Sequence, residues 1–401
     1  MRTFLRLLII ALFVIASFSG ATWAGSGPER PLLKTWDKSN IDQVKDLLPP
    51  SDVMRVKEWG LTIPEFKYVP WISRGSWKEA TEKYSKQCKI DENGILRGWD
   101  GGTPFPNTKK LEEMMWNYKK MNNGDDRYCD EDLYLNSFKR GEKKVRVKYT
   151  NYKMIGRVQS PPVPDVPNNP QRNDFKRMTF ITDPFELRGF GTLEYSYEDE
   201  RKESDFWIYI PSLRRVRRAS AASRQDTWDG TELIIDDFDG FSGKTIEHTY
   251  KLIGEKEMLV PNDVLLPFKK DERQPLFWTY AKTPVYVIEA IPKDPNYVYS
   301  KRIFYLQKDG WNLAGTEIYD KTGKLWKYLC FPTMAQGSMD IKEKGVTSQH
   351  GNPDVQLAIG GWSCDFILGH STFFNIDQQW YDTNKFPEKN YETSFLKETG
   401  K

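Results

Sequence analysis

The 401-residue chain has little histidine, little cysteine, almost no excess of charge and, past its N-terminal segment, no long apolar run. Each scarcity excludes something. The three histidines, His248, His350 and His370, come from distant segments, so a three-histidine metal centre would need all of them. No metal site is expected from them, and no cofactor is expected. The 59 basic and 56 acidic residues leave a formal charge of +3. Arg2 and Arg6 lie in a segment expected to be removed, which brings the remaining chain to about +1 (3 minus 2). A chain so close to neutral has no global attraction for nucleic acid. No apolar run past the N-terminus reaches the roughly 18 residues of a membrane-spanning helix, so no stable membrane span is expected. Aromatic residues are plentiful instead, at 14% with 14 Trp, a composition that leans towards β-structure and binding surfaces.

The N-terminus reads as a secretory signal. Arg2 and Arg6 flank a short apolar run over 7–18, and the small residues of "ATWA" follow. Cleavage is expected after Ala24, with Ala21 as the alternative. No cysteine stands near the cut to carry a lipid anchor. The four cysteines, Cys88, Cys129, Cys330 and Cys364, form an even set in an exported chain, which suggests two disulfides. Three pairings are open. Cys88–Cys129 and Cys330–Cys364 are favoured because each closes a fairly local loop, and free buried thiols are the rival reading. No CxxC spacing supports a zinc ribbon or a redox centre.

Residues 25–140 read as a mixed helical and irregular region. One helix is expected from an N-cap at Ser39 or Asn40 to the Pro49-Pro50 stop, a second over "SWKEATEKYSKQC", and a third over "TKKLEEMMWNYKKMNNG". From about 141 the period becomes two, and roughly ten strands are expected, with turns at "IGEK", "KDG" and "KTG". This predicts a mainly β fold with helices (α+β) around one large, strongly curved antiparallel sheet over 141–335. Residues 336–401 are expected to add a strand and a tail that wraps the surface.

Three near-matches to functional motifs fail. "GFSGKT" lacks the glycine that a phosphate loop needs at position 238, which is Phe. "IIDDFDGFSG" puts Ile235 and Ile246 where a calcium loop needs ligands. His370 and Ser371 are adjacent in sequence, which does not make a catalytic pair. What stands out is "FWIYIPSLRRVRR". Phe206, Ile208 and Ile210 point to one side of a strand, and Trp207 and Tyr209 to the other, so both faces are to be covered. Arg214, Arg215, Arg217 and Arg218 need partners, and Asp236, Asp237 and Asp239 of "IIDDFD" are the candidates. Together they make either an ion network at a sheet edge or a polar rim that meets a phosphate or carboxylate.

"WIYIPSLRRVRR", "DDFDGFSGK", "YKLIGEKEMLVP", "VYVIEAIPKDPNYVYSKRIFYL" and "YDKTGKLWK" together resemble an exported bacterial family of unknown function, labelled outer-membrane lipoprotein-sorting proteins and grouped with the LolA/LolB-like carriers. The resemblance implies an unclosed β half-barrel covered by helices, with an apolar interior lined by the strand 206–210. It implies a non-enzymatic periplasmic protein that carries a lipid, acyl chain or other hydrophobic ligand, in exchange with an inner- or outer-membrane transport protein. A structural or docking accessory with a filled interior is the alternative.

Overall fold

The structure, a computed structural model, describes residues 31–399 except 74, 138–140, 229, 265–269, 272–273, 276–277, 334–346, 349–355, 357–359 and 382–384. The expected signal segment, 1–24, lies outside the described residues.

In chain order the strands are β1 (Leu32–Trp36), β2 (Ile63–Phe66), β3 (Lys89–Ile90), β4 (Leu96–Arg97), β5 (Asp126–Ser137), β6 (Gly141–Lys153) and β7 (Asn173–Asp183). They continue with β8 (Gly191–Tyr197), β9 (Asp205–Ile210), β10 (Arg215–Arg218), β11 (His248–Val264), β12 (Lys270–Asp271), β13 (Gln274–Pro275) and β14 (Trp278–Pro292). The last are β15 (Lys301–Gln307), β16 (Leu313–Tyr319), β17 (Leu325–Cys330), β18 (Thr347–Ser348), β19 (Gly360–Asp365) and β20 (His370–Tyr381). Among the described residues four α-helices accompany them: α1 (Pro50–Trp59), α2 (Gly75–Tyr84), α3 (Leu111–Lys119) and α4 (Thr393–Thr399).

Sixteen of the strands form one sheet in the order β1-β2-β14-β15-β16-β17-β19-β20-β5-β6-β7-β8-β9-β10, with β11 on β14 and β18 on β20. Pairing is antiparallel apart from β2 with β14 and β18 with β20. The terminal strands β1 and β10 do not pair with each other, so the sheet is not closed. This is the expected class, mainly β with few helices. The sheet also takes β5 from the segment read as helical and irregular, and β19 and β20 from the segment read as strand and tail.

The pairing explains why such an acidic stretch is a strand. Asp130 and Asp132 of β5 stand opposite Lys148 and Arg146 of β6. Lys144 reaches Asp132 at 2.9 Å and Arg146 reaches it at 3.4 Å. Cross-strand opposite charges of this kind add a few tenths of a kcal/mol each and remove the repulsion within β5.

One helix reading and one turn reading change. Residues 41–43 and 45–47 are short 3-10 turns, and α1 begins at Pro50 rather than stopping there. Proline suits the first helical position because its fixed φ matches and no N–H is needed. "IGEK" is no hairpin turn: β11 runs through it, and Gly254 marks a bulge where the register to β14 shifts.

Alternation gives the sheet two faces. On one, called outer, α1 and its neighbours place Ile41, Val56 and Leu61 against Tyr328, Cys330, Trp362, Cys364 and Phe373. Further along, the C-terminal segment brings Phe386, Tyr391 and Leu396 onto Tyr128, Met178, Leu193 and Tyr209. On the inner face the connection from β10 to β11 lays Trp228, Leu233, Ile234 and Ile235 over Leu133, Val145, Val147, Ile181, Leu329 and Phe374. α3 packs Met114, Met115 and Tyr118 against Tyr286, Ile288, Phe304 and Phe241.

The expected disulfides are absent: all four cysteines are free. Cys330 faces Trp362 and Cys364 faces Tyr328. The two sulfurs therefore lie on a diagonal of neighbouring strands, where Cα atoms stand about 7–8 Å apart, beyond the roughly 4.4–6.8 Å of a disulfide. Cys88 packs with Trp77, Leu96 and Trp99 in the N-terminal region. Cys129 is fixed in β5, where Arg127 Nε donates to its sulfur at 3.2 Å.

Candidate functional site

The site is assembled by strand register. Along β5 to β8 one inward row runs Arg127, Asn151, Arg177 and Glu194, each opposite the next. The following row is Cys129, Tyr149, Thr179 and Thr192. Then come Glu131, Val147 and Ile181, and then Leu133 with Val145. Polarity falls from row to row along a single face.

Two cavities lie over this gradient. The polar one, about 120 Å³, is walled by Lys119, Arg127, Asn151, Arg177, Glu194, Arg224 and Asp239 among others. The apolar one, about 70 Å³, is walled by Leu133, Val147, Trp228, Phe238, Phe374 and Ile376. Arg127, Tyr149 and Asp239 line both, so the cavities adjoin there. The apolar recess is about half the size of an engineered cavity of about 150 Å³ that takes up benzene, enough for a stretch of alkyl chain.

The cations of the polar cavity are placed differently from one another. Lys119 Nζ donates to the Ser242 and Gly243 carbonyls at 3.1 and 2.9 Å. Burial holds its pKa below the ordinary value, partly offset by Glu200. Arg177 stacks on Phe175, at 4.7 Å to the ring centre, and sits 3.7 Å from Glu194 and 3.8 Å from Asp239. Arg127 also stands 3.8 Å from Asp239. Asp239 has a left-handed backbone, φ 54°, unusual for a residue with a Cβ. In the apolar recess, burial pushes the Glu131 carboxyl up to about 7.

The connection over the inner face is clamped by its own carboxylates. Asp236 accepts from Arg224 Nε at 2.7 Å and from Tyr297 Oη at 2.9 Å. Asp237 pairs with Arg302 at 2.6 Å and accepts from Tyr299 Oη at 2.7 Å and the Ile234 N–H at 2.9 Å. Arg302 and Asp237 have fully buried side chains. "DDFDG" and "KDPNYVYSKR", two blocks that carry the family resemblance, thus meet inside the protein.

The sequence-predicted residues fall in several places. Phe206 is half-buried against the inner cluster, and Ile208 stands in the second row opposite Thr192. Trp207 and Tyr209 face outward, under the C-terminal segment, and Trp207 packs edge-on to Tyr195 with ring centres 4.9 Å apart. None of Phe206, Trp207, Ile208, Tyr209 and Ile210 lines either cavity. Arg214, Arg215, Arg217 and Arg218 are exposed on or beside the edge strand β10, where Arg218 pairs with Asp205. The expected rim is therefore divided. Asp236 and Asp237 are buried and bound by Arg224 and Arg302, and Asp239 sits where the cavities adjoin. The physical reason is topological: β10 ends the sheet, whereas 234–239 crosses its inner face. Arg127, Arg177, Arg224, Arg302, Tyr297 and Tyr299 were not read as site residues.

His370 hydrogen-bonds Glu232, which also accepts from Ser363 Oγ at 2.8 Å. Ser371 alternates to the other side of β20, and its hydroxyl is buried without a partner. Ser371 thus lies on the opposite side of the strand from the His370–Glu232 pair. Among the described residues no group of three His, Cys, Asp or Glu side chains stands at metal-binding spacing.

Residues 35–398 match the family described as "Protein of unknown function (DUF1329)". The chain belongs to the DUF1329 family. An uncharacterized protein of Pseudomonas aeruginosa is 25% identical over 331 residues, spanning 75% of this chain and 68% of its own. Among solved structures, a domain of Vibrio parahaemolyticus named for outer membrane lipoprotein sorting aligns with a TM-score of 0.52 at 19% identity, covering 71% of this chain and 97% of that one. A DUF1329 protein from Desulfovibrio piger aligns with a TM-score of 0.51 at 17% identity, covering 71% and 96%. These likenesses are likenesses of fold, and they agree with the resemblance carried by the arginine-rich and "KDPNY" blocks.

Proposed function

We propose that this DUF1329 protein is a non-enzymatic periplasmic carrier that holds the apolar part of a lipid or other hydrophobic ligand and passes it across the cell envelope. The observation that carries the reading is the apolar recess on the inner face, walled by Leu133, Val147, Trp228, Phe238, Phe374 and Ile376. Burying alkyl groups there supplies about 0.8 kcal/mol per methylene without any specific polar contact. The signal-like N-terminus and the lipoprotein-sorting name of the Vibrio neighbour agree with export. The exposed arginines beside and along β10 would face a membrane transport protein or an acidic surface.

The test is to purify the full chain from its native envelope, extract it with organic solvent and identify what elutes by mass spectrometry. The carrier reading expects an acyl-bearing molecule, depleted in Phe238→Asp, whose side chain is half-buried on the recess wall. A clean extract from the parent protein, together with unchanged behaviour of the variant, overturns it. A second reading, a docking accessory to an envelope transporter or outer-membrane assembly, is favoured by one feature: Leu233, Ile234 and Ile235 already fill much of the inner face.

A further inference from the structure

The polar cavity holds one guanidinium, Arg177, that the surrounding ion network leaves incompletely paired. Eight of its lining residues are Lys or Arg and five are Asp or Glu, and three of the cations are met from outside the lining, Lys153 by Asp125 at 3.7 Å, Arg224 by Asp236 at 2.6 Å and Lys244 by Glu203 at 2.5 Å. Several of the carboxylates are already taken. Asp174 accepts from Lys120 at 2.7 Å, Glu198 from Arg172 at 2.8 Å, and Glu200 from Thr245 Oγ1 at 2.6 Å. Arg177 is left with two carboxylates at 3.7 and 3.8 Å, beyond hydrogen-bond length. Its Nε is buried and donates to nothing. The buried Asn151 amide oxygen, next to it in the same row, accepts nothing. A guanidinium with a buried, unused Nε donor beside an unused acceptor is a place for a ligand to bind. A planar fork of this kind suits a carboxylate or phosphate.

Position decides what that something is. Arg127, Tyr149 and Asp239 line both cavities, so a single molecule can enter the two at once. Resting on the carrier reading, we propose that the ligand is an amphiphile with an anionic head group. Its phosphate or carboxylate sits at Arg177 and its chain lies in the recess by Val147 and Phe238. Asp239, held in a left-handed conformation within 3.8 Å of both Arg127 and Arg177, occupies the head-group position in the ligand-free protein. The ligand anion displaces Asp239 from the two guanidinium groups. Where the head group carries a hydroxyl, the Asn151 amide oxygen accepts from it.

Isothermal titration of the full chain at low salt tests this with decyl phosphate, decanoate, decanol and inorganic phosphate. The proposal expects at least one decyl anion to bind about tenfold or more tighter than decanol, the increment of one charge-assisted hydrogen bond. Whichever of decyl phosphate and decanoate binds more tightly identifies the head-group class. Arg177→Met should bring that ratio close to one by weakening the anion. Asp239→Asn, which removes the internal competitor, should raise affinity for the anion several-fold, and it serves as a second probe should Arg177→Met fold poorly. Equal binding of decanol and the decyl anions, or no response to either substitution, overturns the head-group assignment and leaves the carrier reading standing. Inorganic phosphate binding as tightly as decyl phosphate also overturns it, because the chain would then contribute nothing. No binding of any decyl probe overturns both readings.

Discussion

Replacing Arg302 with Met should destabilise the protein more than a substitution at almost any exposed position. Arg302 and Asp237 meet at 2.6 Å with both side chains fully buried. Tyr297 Oη accepts from Arg302 at 3.1 Å, so the cation also joins the Asp236 half of the clamp. Methionine preserves much of the volume, and what is lost is the charge. The Asp237 carboxylate would keep the Tyr299 hydroxyl and the Ile234 N–H, but it would lose its counter-ion inside the protein. Breaking a buried pair from one side costs about 3–5 kcal/mol. At about 2 °C per kcal/mol, the scale for chains of a few hundred residues, the melting temperature should fall by about 6–10 °C. The double variant Arg302→Met with Asp237→Asn removes both charges and should recover part of that loss, with a coupling of about 1 kcal/mol or more. Thermal melts of the four proteins followed by far-UV circular dichroism measure all of this. A fall of less than about 2 °C in the single variant, or strict additivity in the double, would refute the view that this pair clamps the 234–239 segment onto the sheet.

Two further outcomes follow from the inner face and the cysteines. Glu131 is pushed up to about 7 by burial, so its ionisation opposes folding. Below its unfolded pKa it is protonated in both states and Glu131→Gln should be neutral; between that value and about 7 the variant should gain, levelling off up to about 3 kcal/mol above the parent at pH 8. Urea melts from pH 4 to 8 should show this, and a pH-independent difference would count against a buried carboxyl. A thiol-reactive dye should find four free thiols in denaturant without prior reduction. In the native protein Cys88 alone should react, and slowly, because burial and then Asp100 push its thiol up to about 11; fewer than four thiols in denaturant would restore a disulfide.

The sheet was legible where a strand keeps one clean face. β6 alternates Val145 and Val147 with Lys144, Arg146 and Lys148, and a period of two is unmistakable there. It was not legible in β5, where "DRYCDEDLYLNS" carries charge on both sides. Asp130 and Asp132 become acceptable only when Lys148 and Arg146 stand across from them, with Lys144 also reaching Asp132, and pairing is a fact about two segments. The site was hidden for the same reason. Arg127, Asn151, Arg177 and Glu194 are unremarkable singly, and only register lines them up. The strand 206–210 showed its two faces correctly, but sequence could not say that β10 ends the sheet or that the 234–239 carboxylates turn inward. Tyr297, Tyr299 and Arg302 lie within the "KDPNYVYSKR" block that carries the resemblance, and that is the sequence signal that points to them.

β5 lies between β6, which follows it at once, and β20, which is almost the last element made, with His370 beside Ser137 and Tyr381 beside Arg127. A polypeptide emerging amino-end first therefore carries an open hydrogen-bonding edge on β5 until its final stretch arrives. The middle of the sheet is sealed late, a topology that folds slowly and invites chains to pair with one another. Shortening the carboxyl end past β20 would leave that seam unsealed permanently, and such a product should be lost to aggregation or proteolysis before any question of ligand arises.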